Sequence, residues 1–200
     1  PSIKPVPFDI AKANALLDAA GWKRGADGIR AKNGAKLALD VAVVTGDPQA
    51  DGMFELIRGW WKQIGVSLSI QHYLSSLMFA PYADGGILYK GKFDVVYFQW
   101  GSDAIGDYSF IYGCDQIPPN GQNVLHWCNQ PATAATHALF GHFDQTQRNG
   151  DVKIVEEQLD KEVPTIVVMG TQQVWVWNKD FKNFQPNAVS PFDNFMNADI

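Results

Sequence analysis

Two hundred residues with 46% apolar content can bury a sizeable core, at the upper end of what one domain usually holds. A net charge of −5 argues against nucleic acid as a partner, because a phosphate backbone selects a basic face. No window holds the roughly 18 consecutive apolar residues of a membrane span, and the first residues lack the basic start and apolar run of a secretory leader.

The opening Pro1-Ser-Ile-Lys-Pro-Val-Pro7 reads as an extended connector rather than a natural beginning. Asp9 is placed to cap a helix starting at Ile10 and closed by Gly21, with Ile10, Ala13, Leu16, Leu17 and Ala20 on one face. Asp27-Gly28 and Asn33-Gly34 predict hairpin turns around a short strand. Residues 37–45 alternate and are rich in β-branched side chains, which predicts a strand. Asp47-Pro48 opens a second helix, with Phe54, Ile57, Trp61 and Ile64 as its inner stripe and Gly65 as its end. Residues 66–72 predict a strand and 75–82 a short helix, while Gly85, Gly86 and Gly91 mark a mobile loop. The apolar run 93–100 predicts a strand central in a sheet. Residues 101–130 are irregular, with one short helix over 108–112. Pro131 opens a helix to about Gln147, and a further helix over 151–162 stops before Pro164. Residues 165–169 and 174–177 read as strands joined at Gly170, and the tail from Asn178 as mostly loop. The alternation of strands and helices gives an α/β domain.

Few residues offer chemistry. Cys114, His126 and Cys128 supply three zinc-ligand types, but their spacing matches no compact knuckle, and His137 and His142 fall on different helix faces. Cys128 beside His126 is a geometrically open nucleophile pair with no supporting motif. Two cysteines fit either buried thiols or one disulfide. Asp103 and Asp107 follow the apolar run; Asp107 fits a helix cap, and the pair also fits a hydrolase's acid and base. Asp103 lies just past a strand end, where α/β sheets hold ligands, and three residues beyond Trp100. A carboxylate beside an indole can hold an ammonium group by charge and cation–π contact. No nucleophile elbow, phosphate loop or cofactor motif appears.

Several segments taken in order carry a resemblance. Phe8-Asp-Ile-Ala-Lys-Ala-Asn-Ala-Leu-Leu-Asp-Ala-Ala-Gly-Trp22 comes first, followed by Ala26-Asp-Gly-Ile-Arg30 with Gly34 and Leu37. Trp61-Lys-Gln-Ile-Gly-Val66, Gly91-Lys-Phe-Asp-Val95 and Trp100-Gly-Ser-Asp103 continue it. Asn120-Gly-Gln-Asn123, Trp127-Cys-Asn129, the run from Glu156 to Pro164 and the run from Asn178 to Phe184 complete it. Together these blocks resemble the second half of the family 5 extracellular solute-binding proteins, the dipeptide, oligopeptide and nickel binders of ABC importers.

The resemblance implies a fold: the C-terminal lobe of a type II periplasmic-binding-protein architecture, a mixed sheet flanked by helices. It implies that the chain is one lobe over residues 1–200, with 179–200 returning toward an N-terminal lobe outside it. The implied protein is a periplasmic or extracellular monomer, with a lipid anchor on its full-length form as an open alternative. It binds a peptide or other small solute between two lobes, delivers it to an ABC permease in the membrane, and performs no catalysis with any cofactor or metal. A sensory or chaperone-like protein reusing the fold is the alternative. Asp103 would pair with the ligand's amino group, and Trp100 and Gly101 would line the same wall. Leu74 stands where dipeptide binders place an aromatic residue near the ligand. An oxidising compartment further implies that Cys114 and Cys128 form a disulfide.

Overall fold

The computed structural model describes residues 6–101, 108–170, 174–187, 192 and 194–199. Asp9 caps α1 (Ile10–Ala19), its carboxylate accepting the Lys12 amide at 2.8 Å. The expected apolar stripe is only partly covered, and Leu16 points outward at 61% exposure. Polar contacts hold the helix instead. The turns at Asp27-Gly28 and Asn33-Gly34 join β1 (Lys23–Arg24), β2 (Arg30–Lys32) and β3 (Ala35–Lys36) into an antiparallel sheet. Asn33 and Gly34 both take positive φ, 53° and 84°, as a two-residue hairpin of this twist requires.

Arg30 projects from β2 into the junction of α1, the hairpin and the next helix, and is 2% exposed. Its guanidinium donates to the carbonyls of Ile64 (2.7 Å) and Trp22 (2.6 Å), to Asp18 Oδ1 (2.6 Å) and to Asn14 Oδ1 (2.8 Å). Every contact is to an acceptor, so the buried cation is satisfied. Gly65 sits against it at φ +84°; a Cβ there would lie 2.7 Å from Arg30 Cγ.

β4 (Ala38–Val44), α2 (Pro48–Gln63) and β5 (Ser67–Tyr73) form a parallel crossover unit. Asp47 caps α2 by accepting the amides of Gln49 and Ala50, and Pro48 occupies the first turn, where no amide is needed. α3 (Ser75–Met78) follows β5 directly, and β6 (Val95–Val96) pairs with β4, giving the parallel order β5-β4-β6. Parallel and antiparallel pairings therefore sit in two separate sheets. The run 93–100 was expected at the sheet's centre; β4 takes that place, and only Val95 and Val96 of the run form ladder pairs. Tyr97 extends the contact by one bond from its amide to the Ala42 carbonyl.

Alternation along β4 sorts two cores. Val41 and Val43 face α2 and pack with Ala50, Phe54 and Leu68, bordered by Ile57, Trp61 and Tyr97. Ala42 faces the other way and packs with Met78, Ile87, Leu88 and Val124, bordered by Val44, Val96 and Phe98. The glycine-marked segment expected as a mobile loop thus supplies core residues: Ile87 and Leu88 are 6% and 2% exposed. Gly86 backs onto the Ala80 carbonyl so closely that a Cβ would fall 1.8 Å from its oxygen.

In the C-terminal part, α4 (Ser109–Tyr112), α5 (Gln130–Ala138) and α6 (Gln145–Glu162) pack together. The break between the last two helices falls earlier than expected. Residues 139–144 form the turn and Asp144 caps α6 by accepting the amides of Thr146 and Gln147, while Gly150 is carried inside the helix. Cys114 and Cys128 are disulfide-bonded, with 4.6 Å between their Cα atoms. Buried Asn123 braces the segment they close, donating to the carbonyls of Gly113 (2.9 Å) and Trp127 (2.6 Å).

The two expected strands over 165–169 and 174–177 do not form. Both stretches lack a strand partner among the described residues. Val167, Val174 and Val176 are 84%, 84% and 90% exposed. β-branched composition favours extended backbone, but a strand also needs a neighbour to complete its hydrogen bonds. Among its described residues the tail is loop, as expected, apart from a short 3-10 turn at Phe195–Asn197, and gathers Phe181, Phe184, Phe192 and Phe195 into ring contacts.

Candidate functional site: the aromatic wall at the strand ends

The carboxyl ends of β5 and β6 open onto one edge of the parallel sheet, the place where α/β sheets hold small molecules. β5 leads into Leu74, which starts the turn into α3 and is 66% exposed. β6 leads through Tyr97, Phe98 and Gln99 to Trp100 and Gly101. Strand alternation splits these residues: Tyr97 turns to the α2 core, where its ring meets Phe54 edge-on, while Phe98 turns to the opposite core.

Four rings run from Phe98 along this edge. Phe79, just after α3, meets Phe98 edge-on with centroids 6.2 Å apart. Phe98 meets Trp100 edge-on at 5.3 Å, and Trp100 lies tilted against Phe110 of α4 at 5.5 Å. Such separations and angles are those that aromatic quadrupoles favour. Phe98 anchors the row in the core, whereas Phe79 and Trp100 stay partly open to solvent.

Of the residues singled out from sequence, Trp100 and Gly101 lie together at the end of this row, and Leu74 is exposed at the end of the neighbouring strand. Asp103 and Asp107 lie outside the described residues. Phe79, Phe98 and Phe110 were not singled out. Phe98 was legible as the same-face neighbour of Trp100 two positions on; Phe79 and Phe110 come from separate elements and carried no local signal.

The Cys114–Cys128 disulfide leaves neither sulfur as a thiolate, so neither serves as the nucleophile of a Cys-His pair or as a zinc ligand. His142 Nδ1 lies 2.6 Å from Asp151 Oδ2, and His137 pairs with Asp115 across 3.4 Å. Among the described residues, no three histidine, cysteine or carboxylate groups cluster as metal ligands would.

The family model for bacterial extracellular solute-binding proteins, family 5 (middle region), matches residues 1–120. The chain belongs to this family.

Di/tripeptide-binding protein 3 of Pseudomonas aeruginosa is 29% identical over 96% of the chain, and the match spans 33% of that protein's length. The nickel-binding periplasmic protein of Escherichia coli is 33% identical over 50% of the chain and 18% of its own length. Among solved structures, the oligopeptide-binding protein of Thermus thermophilus, complexed with a pentapeptide, superposes with a TM-score of 0.80 at 24% identity, covering 96% of this chain and 34% of that one. The fold is that of the type II periplasmic binding proteins. The chain spans about a third of the length of the curated relatives that it matches nearly end to end.

Proposed function

We propose that the chain is the C-terminal lobe of a solute-binding protein that serves an ABC importer outside the cytoplasm. A peptide or similar amine-bearing solute is held between this lobe and an N-terminal one. Closure of the two presents it to the permease, with no chemical step. Residues 179–200 return toward the N-terminal lobe, and the full-length protein acts as a monomer in the periplasm or at the cell surface. The observation that carries this reading is the exposed aromatic wall at the strand ends of a family 5 chain. A wall of this kind covers one side of a small ligand, and binding proteins enclose most of a ligand's surface. The oxidised cysteine pair agrees with an extracytoplasmic location.

Asp103 follows the exposed Trp100 by three positions and supplies the carboxylate for the ligand's ammonium group. The test is calorimetry on the full-length protein with a free-amine dipeptide. Asp103→Asn keeps the size and removes the charge. Stranding a buried charge by removing its partner costs about 2–5 kcal/mol, so affinity falls by about thirtyfold or more. Unchanged affinity defeats the role given to Asp103.

A further inference from the structure

The binding reading leaves the nature of the solute open, and the ring row narrows it. Phe79, Phe98, Trp100 and Phe110 form a continuous run of ring-to-ring contacts at 6.2, 5.3 and 5.5 Å. Phe79 is 42% and Trp100 36% exposed, although the row is rooted in the core through Phe98. Rings held this way are already ordered, so a ligand ring that joins them costs them little conformational freedom. The exposed apolar surface extends to Leu74 and Leu77 in the segment that carries Phe79. Among these six side chains the only polar group is the Trp100 indole N–H. Along the row itself a saccharide would find faces to stack on but a single partner for its hydroxyls, the indole N–H. An apolar flat side chain loses nothing here.

We infer that the Phe79–Phe98–Trp100–Phe110 row is a subsite for an aromatic side chain of the solute, and that Phe79 is a specificity-determining residue. The inference rests on the binding reading above and adds to it a preference among peptides. An incoming ring completes the row by the same offset and edge-to-face contacts that already join its members. The preference should therefore depend on the exposed member, Phe79, as well as on Trp100.

The experiment is isothermal titration of the full-length protein with Ala-Ala, Ala-Phe and Phe-Ala. The better phenylalanine peptide should bind about tenfold more tightly than Ala-Ala, as expected from one added aromatic contact and its buried area. Phe79→Ala should bring that ratio towards one, and Phe79→Tyr should restore most of it. A ratio near one in the wild type overturns the subsite. So does a ratio that survives Phe79→Ala while the ligand-free melting temperature falls, which would make Phe79 a packing residue against the rest of the protein. Failure of all three peptides to bind would sink the binding reading together with this inference, whereas measurable binding without preference sinks the inference alone.

Discussion

Arg30 shows how one side chain can set the entry of the whole chain. It was legible in sequence only as part of a hairpin block, yet it joins α1, the antiparallel sheet and the turn before β5 through four short hydrogen bonds. The apolar stripe of α1 suggested that burial holds that helix, but α1 has no fully buried residue. Arg30→Met should therefore cost about 2–4 kcal/mol, since the Ile64 and Trp22 carbonyls lose a charged donor. The cost should also depend on pH. The Arg30 hydrogen bond holds the Asp18 carboxyl below its ordinary value of 3.8, with the charges of Arg30, Lys23 and Arg24 adding to it. A carboxylate with a lowered folded value contributes stability that is complete above its unfolded value and is lost as pH falls through the folded one. The gap in denaturant midpoint between wild type and Arg30→Met should thus be widest at neutral pH and narrow, without closing, below pH 3.8, since the bonds to the two carbonyls do not titrate. A gap that stays constant into that range would show that Asp18 takes no part.

At the scale of elements, legibility followed how local the determining signal is. β4, α2 and β5 fall within a residue or two of their expected bounds, because alternation, the Asp47 cap and the Gly65 stop all act within the segment. The break between α5 and α6 was misplaced because several weak signals compete there. Gly150 looks like an interruption, but the Asp144 cap decides where α6 starts. The segment closed by Cys114 and Cys128 was readable as a covalent pair only through the family resemblance, since two cysteines by themselves fit either state. Its closure holds Tyr112 against Trp127, whose indole donates to Glu162 Oε2 of α6 at 2.6 Å. Replacing both cysteines by serine should lower stability by about 3 kcal/mol, the loop-closure entropy of a segment this long. Unfolding in an alkylating reagent without reductant should label neither cysteine of the wild type; full labelling would refute the bond.

For the molecule as a whole, the fold was legible as α/β, but the aromatic wall was not. Its rings arrive from the residue after α3, the stretch following β6, and α4, and no sequence window spans them. The wall is also one-sided. If the proposed lobe assignment holds, the chain by itself should bind a dipeptide at least about tenfold more weakly than the full-length protein, because half of the enclosure is missing. Equal affinities in parallel titrations would show this lobe to be sufficient.

Residues 164–170 and 174–177, without a strand partner among the described residues, have a consequence for how the chain behaves in a tube. Gln49 donates to the Met169 sulfur at 3.3 Å, yet the valines around it present apolar faces to solvent beside backbone without a strand neighbour. Extended apolar backbone of this kind is a template that any second extended chain can complete. Recovery of this chain on its own will therefore be a matter of colloid chemistry as much as of folding energy. It should improve with dilution, and with replacement of Val167, Val174 and Val176 by charged residues, more than with any substitution in the core.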